Sequence, residues 1–309
     1  MTQSSKADIL LLIIALIWAA TFIIIKHALD DVPPFLFTGL RFLLASSIGL
    51  LLWGRYLRSL TLRDIRQGMI LGIVFGIGFL LQTWGLQFTT IAKSSFITGS
   101  MVIFTPIVYY IIERRPITAF QKIGVLIVTL GLWIFTDPNF SSVNRGDVAT
   151  LACAVLWGVY ITLTDVYTSN REDILEHSAR LTLLQFISTC CISFFAFLLY
   201  EQSATHTFQQ LLYNSFTTQD VLIAIGYTAL LGSVIATYIQ TRWQRDSTPV
   251  KAALIFSLEP IIASVLAYIY ISEQFGWREL IGGAIVLIGV LAGEIGESAY
   301  HFIKPQKTK

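Results

Sequence analysis

"LQTWGLQFTTIAKSSFITG" occupies residues 81–99, and "IQTRWQRDSTPVKAALIFS" occupies residues 239–257. At an offset of 158 the two share Gln82/Gln240, Thr83/Thr241, Thr90/Thr248 and Lys93/Lys251. The register continues through Ile97/Ile255 and Tyr110/Tyr268 to Gly124/Gly282 and Gly131/Gly289. Aliphatic residues match by chance in an apolar chain, but polar pairs at fixed spacing do not, so the sequence reads as an internal duplication. A second match, "ALIWAATF" (15–22) against "AVLWGVYI" (154–161), aligns Trp18 with Trp157 at an offset of 139. The difference between the two offsets fits longer loops in the second half.

The surroundings of these segments set the fold class. Of 309 residues, 55% are hydrophobic and 13% charged, which argues against a soluble globular domain. A hydrocarbon core of about 30 Å needs roughly 20 apolar residues at a rise of about 1.5 Å each. Ten segments approach that length, at 8–28, 34–53, 67–87, 91–112, 119–136, 148–168, 180–200, 219–241, 250–271 and 278–297. The expected fold is an all-α integral membrane protein of ten transmembrane helices. The repeat divides them into five-helix halves, 1–140 and 141–309, and an odd number of spans per half forces opposite orientations. Such inverted-topology repeats characterise secondary transporters, whose substrate site lies near the midplane between the repeats.

The loop charges test this arrangement. Lys6, Arg55, Arg58, Arg63, Arg66, Arg114, Arg115, Lys122, Arg171, Arg180, Arg242, Arg245, Lys251, Lys304, Lys307 and Lys309 fall on one side, while Lys26, Lys93, Arg145 and Arg278 fall on the other and Arg41 lies within a span. Excess Lys and Arg mark the cytoplasmic side, so both termini are expected there, in a multi-pass protein of the cell membrane. The net charge of +2 is then a topology signal that needs no nucleic acid. The first span reads as a true span rather than a cleaved leader, because only Lys6 precedes it and no small-residue cleavage site follows. Cys153, Cys190 and Cys191 fall inside spans, where neither a disulfide framework nor a metal spacing is plausible.

Polar groups within spans are costly and each needs a partner or a cavity. Arg41 lies seven residues after Pro34, too deep to snorkel easily, so it either pairs inside the bundle or binds an anionic substrate group. Glu259 lies near the middle of the ninth span beside Pro260, which kinks the helix and frees carbonyls. It reads either as a packing acid or as a proton carrier, and Met101 holds the equivalent position in the first half. Trp18 and Trp157, with Thr21 and Tyr160 on the same helical faces, could wall a cavity or simply pack. Gln82 and Gln240 sit about one turn inside the membrane, with Thr90 and Thr248 placed to cap the helices that follow. Lys93 and Lys251 occupy the first turns of those helices, where the macrodipole disfavours a cation. They read as interfacial anchors or as anion sites. The pairs Gly72/Gly76 and Gly289/Gly293 have the spacing of close helix contacts.

Catalysis is not expected. His27, His177, His206 and His301 fall at span ends, in loops or in the tail, and no phosphate-binding Walker loop is present. No cofactor is implied. The residues leave two readings open: a secondary transporter whose cavity is lined by spans 1, 3, 4, 6, 8 and 9, or a membrane scaffold or sensory subunit that keeps this architecture. Sparse polar residues disfavour a channel. The partners are a small-molecule substrate and the lipid bilayer, with protons a candidate coupling ion; monomer and homodimer both fit.

Three segments carry a resemblance: "IWAATFIIIKHALDDVPPFLFTGLRFLLA" (17–45), "QTWGLQFTTIAKSSFITG" (82–99) and "ALIFSLEPIIASVLAYIYISEQFGWRELIGGAIVLIGVLAGE" (253–294). Together they resemble the EamA-type transporters of the drug/metabolite transporter superfamily. The resemblance covers nearly the whole chain and both halves. It implies a ten-span, inverted-repeat permease of a prokaryotic cytoplasmic membrane, usually an exporter of amino acids, other small metabolites or drugs. Ser272-Glu273-Gln274 departs from the Gly-Glu-Arg usual after the ninth span, a difference that touches subfamily more than fold.

Overall fold

The computed structural model describes residues 3–114, 116–136, 143–169, 172–201, 212, 216–271 and 276–303. Arg115, Arg171, His206, Ser272-Glu273-Gln274 and the three tail lysines lie outside these residues. Every regular element among the described residues is helical. The first half comprises α1 (Gln3–Ala28), α2 (Pro34–Trp53), α3 (Leu62–Leu86), α4 (Ile91–Gly99), α5 (Met101–Glu113) and α6 (Ala119–Thr136). The second comprises α7 (Arg145–Thr168), α8 (Ile174–Tyr200), α9 (Gln219–Tyr227), a π-helical segment Thr228–Ile235, α10 (Ala236–Trp243), α11 (Pro249–Phe256), α12 (Glu259–Ile271) and α13 (Trp277–Ile303).

Local chemistry explains the helix starts. Thr61 and Asp64 form a reciprocal capping box on α3, and Asn144 with Asp147 forms another on α7. The side chains of Thr90 and Thr248 accept from the backbone N–H of Lys93 and Lys251, each at 3.2 Å, so both expected caps form. Among the described residues, eight helical stretches are long and apolar enough to cross a membrane, whereas the apolar helices Ala119–Phe135 and Leu280–Gly293 are shorter. These two fall within the fifth and tenth expected spans.

The halves interleave. Helix α3 packs on α7 and α8, α5 packs on α7, and α1 packs on α10 and α12. The two shorter apolar helices belong to α6 and α13, which pack extensively on each other, and their shared glycines explain the fit. A Cβ on Gly131 would stand 2.6 Å from the backbone N of Val286, and one on Gly289 would stand 2.7 Å from that of Val128. At the offset of 158 these are the same contact seen from each side, so both copies must lack a side chain for the backbones to approach.

The fourth and ninth expected spans are each broken in two. One breaks at Ser100, between α4 and α5, and the other at Ser257 and Leu258, between α11 and α12. The second half-helices begin at Met101 and Glu259, which are equivalent residues. The breaks are local: the N–H groups of Ser100 and Ser257 still donate to carbonyls of the preceding half-helix, Phe96 and Ile97 in one case and Ala253 and Leu254 in the other.

Candidate functional site

The broken helices meet α1, α3, α7 and α10 around a central cavity. Its wall is aromatic: Trp18 and Trp157 stand 6.0 Å apart by ring centroids, Trp18 stands 5.2 Å from Phe256, and Phe79 meets Trp157 edge-on at 5.0 Å. Thr21, Gln82, Thr98, Gln240 and Glu259 supply the polar lining, with Met101 and Ile161 completing it. The space open to the centre of a water-sized sphere is about 20 Å³, which holds one water and no organic solute.

Each polar group has a definite state. Gln82 donates to the hydroxyl of Thr98 at 3.2 Å, and Gln240 donates to the Gln244 side chain at 2.9 Å. The side-chain oxygen of Gln240 is buried without a donor. Trp18 donates its indole N–H to the carbonyl of Gly232 at 2.9 Å, within the π-helical segment, a helix type frequent at functional sites. Glu259, 5% exposed, has neither a hydrogen-bond donor nor a cation among the described residues, and no Lys, Arg or His lines the cavity. The cavity therefore presents one carboxyl among aromatic faces, a combination suited to a cationic group.

Two further polar clusters lie at the ends of the bundle. In one, Asp147 accepts from Lys93 Nζ at 2.6 Å and from the Thr89 hydroxyl at 3.0 Å. In the other, Asp8 accepts from Lys251 Nζ at 2.7 Å and from the Ser247 hydroxyl at 3.1 Å. Helix α1 shows that these are opposite ends: Asp8 is near its start, while Lys26 near its end donates to the carbonyls of Leu86 and Thr89 at 2.6 and 3.1 Å. Eighteen residues separate Asp8 from Lys26, about 27 Å along a helix, and Trp18 lies between them.

The comparisons bear on what this arrangement is. The EamA-like transporter family model matches residues 5–136 and 144–292. The chain belongs to the EamA-like transporter family. It is 28% identical over 288 residues to an uncharacterized transporter of Archaeoglobus fulgidus, covering 92% of this chain and 84% of that one. It is 23% identical to a probable amino-acid metabolite efflux pump of Salmonella typhimurium, over 95% of this chain and 96% of the relative. A solved crystal structure shares the fold with a TM-score of 0.73 at 16% identity, covering 94% of this chain and 98% of that one. This EamA-like protein is accordingly a multi-pass membrane transporter of small molecules and not an enzyme.

Of the residues expected from the sequence at a substrate site, six line the cavity: Trp18, Thr21, Gln82, Trp157, Gln240 and Glu259. Four do not. Arg41 lies one layer behind, its guanidinium 4.4 Å from the Phe79 ring and its Nε donating to Ser233 at 2.9 Å. It has no carboxylate partner among the described residues, so cation–π contacts and one hydroxyl hold it, and its Nη2 is unsatisfied. Tyr160 is fully buried behind Trp157, because its hydroxyl is drawn away to Gln185 at 2.9 Å. Lys93 and Lys251 stand at the two ends, and the helix-terminal position that disfavours them is offset by the Asp147 and Asp8 carboxylates. Those two acids escaped the sequence reading. The offset of 139 that pairs Trp18 with Trp157 also pairs Asp8 with Asp147, and the offset of 158 pairs Thr89 with Ser247.

Proposed function

We propose that the protein exports small solutes that carry an ammonium group on an apolar or aromatic body, amino acids and amine-bearing drug-like compounds among them. The observation that carries this reading is the carboxyl of Glu259, alone among the rings of Trp18, Trp157, Phe79 and Phe256. A desolvated carboxylate and aromatic faces both favour a cation, and the ring edges and methyls suit its hydrocarbon part. An efflux pump among the relatives favours export. With room for a single water, the cavity must widen to take a solute.

Widening and closing in turn is alternating access, and several features support two inverted five-helix halves, 1–140 and 141–309, as its machinery. These are the two identity offsets, a family match to each half, and broken helices at equivalent residues. Ten crossings then place both termini on the cytoplasmic side, where the loop cations concentrate. The Asp8 end faces the cytoplasm and the Asp147 end faces outward. Exchange of a proton for the ammonium group at Glu259 supplies a coupling route.

Titrating purified protein with paired solutes while following tryptophan fluorescence tests the substrate class. Phenylethylamine-like amines should perturb the emission of wild type but not of the Trp18→Phe, Trp157→Phe double variant, and Glu259→Gln should abolish saturable binding. Equal binding of a carboxylate-only analogue of the same body, or an unchanged Glu259→Gln titration, contradicts the reading.

A further inference from the structure

The two end clusters share an aspartate, a lysine and a hydroxyl arranged alike across the halves, which a packing role does not require; Asp147 alone also accepts from the backbone N–H of Asn144, at 2.9 Å, in the capping box of α7. Each consists of an aspartate near the start of the first helix of one half, held by a lysine and a hydroxyl from the other half. Asp147 of α7 is bound by Lys93 and Thr89, and Asp8 of α1 by Lys251 and Ser247. In both, the lysine lies in the first turn of a half-helix whose N-cap is a threonine, and that half-helix leads to the cavity. Each cluster therefore joins the two halves at one end of the bundle only. A solute leaving toward that end requires the halves to part there, which breaks the ion pair, while the other pair can stay made.

We infer that Lys93–Asp147–Thr89 and Lys251–Asp8–Ser247 are the two gates of the transporter, outer and inner, and that Asp8 and Asp147 are gating residues. The assignment rests on the alternating-access reading. Three observations carry it. The clusters occupy equivalent positions in the two halves, so a motion that exchanges the halves exchanges the gates. The lysine–aspartate pairs are partly or largely shielded, with the Lys93 side chain 25% exposed and that of Lys251 8% exposed, so opening hydrates a desolvated pair and each gate is a two-state contact. Both pairs are made at once in a structure whose cavity has room for one water, so neither pair is parted where no solute fits.

Two-state linkage then dictates a reciprocal result. Asp147→Asn weakens every state in which the outer gate is shut, which raises the outward-open population and lowers the inward-open one; Asp8→Asn does the reverse. The readout needs no substrate. A single cysteine replacing Thr98 in the cavity, in a background with Cys153, Cys190 and Cys191 changed to alanine, is exposed to a membrane-impermeant maleimide in right-side-out and in inverted vesicles. The parent should label slowly from both faces. Asp147→Asn should label at least about tenfold faster from the outer face and more slowly from the inner face, and Asp8→Asn should give the mirror image. Exchanging the charges, as Lys93→Asp with Asp147→Lys, should return the outer rate toward the parent value.

Labelling unchanged by either aspartate variant, or raised equally from both faces, overturns the assignment. Where an aspartate variant does not fold, as judged by its elution profile in detergent, the milder Thr89→Val and Ser247→Ala should shift the two rates in the same opposite directions, and no shift overturns it equally. Flux is a separate outcome. Reciprocal labelling without transport of any amine-bearing solute leaves the gates standing and sinks the substrate reading, whereas transport with unaltered labelling sinks the gates alone.

Discussion

The ends of this molecule and its centre treat the duplication in opposite ways. At the ends the two halves keep the same chemistry: aspartate, lysine and hydroxyl, with threonine caps on both half-helices. At the centre they diverge, with Met101 in one half and Glu259 in the other as the first residue of equivalent half-helices. The tryptophans and glutamines are kept on both sides of the cavity, but the charge is not. The difference assigns labour. On the proposed function, a device that opens alternately toward two faces benefits from matched ends, whereas a solute with one ammonium group needs one counter-charge. A second buried acid would cost about 2.5–3.5 kcal/mol to insert, with nothing to neutralise it.

Moving the charge is the strongest way to break that contrast. Glu259→Met should weaken binding of an amine-bearing solute more than about 100-fold, the scale of a lost desolvated ion pair. Adding Met101→Glu to the same protein places the acid at the equivalent position of the other half, and should restore at least about a tenth of the wild-type affinity. Isothermal titration measures both. Failure of the swap would mean that the cavity is asymmetric beyond its charge.

The interface of α6 and α13 sharpens the comparison from the symmetric side. Because Gly131 and Gly289 make the same backbone contact from opposite helices, Gly131→Val and Gly289→Val should destabilise alike, by about 1–3 kcal/mol or more as overpacking against backbone. Their thermal midpoints in detergent should fall together, and unequal losses would show that the interface is not two-fold.

The smallest effect belongs to Glu201, just beyond α8, whose carboxylate accepts from the backbone N–H groups of Phe35 and Leu36 at 2.9 to 3.1 Å and so docks the start of α2. Burial pushes its pKa up from 4.5 to about 7, against those two hydrogen bonds. A carboxyl raised on folding contributes stability that is present below about pH 4.5 and lost as pH climbs through about 7. Glu201→Gln keeps an acceptor for the amides and removes the titration, so the fall in thermal midpoint across that window should flatten by a few degrees or less. A slope that persists in the variant would place the titrating group elsewhere.

Much of this design was legible in the chain because membranes impose long apolar runs and because duplication leaves a register. The offset of 158 paired the stretches that lead into the fourth and ninth spans, though not the breaks within them, and the offset of 139 put Trp18 opposite Trp157, where the structure finds them 6.0 Å apart. Glu259 stood out because an acid at mid-span has few structural uses. The proposed gates were harder to see. Asp147 sits in a first helical turn, where an acid is ordinary capping chemistry, Asp8 lies in the second turn of α1, and their lysines lie 54 and 243 residues away. Helical periodicity tells which face a residue occupies but not which neighbour that face meets. The same gap explains Tyr160, on the expected face of α7 yet turned to Gln185, and Arg41, separated from the cavity by the Phe79 ring it covers.

Counterflow into proteoliposomes tests the central claim most directly. Vesicles holding the wild-type protein and preloaded with an unlabelled aromatic amine or amino acid should accumulate the labelled compound transiently, and the Glu259→Gln protein at equal density should show no overshoot. Equal overshoot in the two proteins, or none from the wild type across a panel of amine-bearing solutes, would contradict transport through the Glu259 cavity.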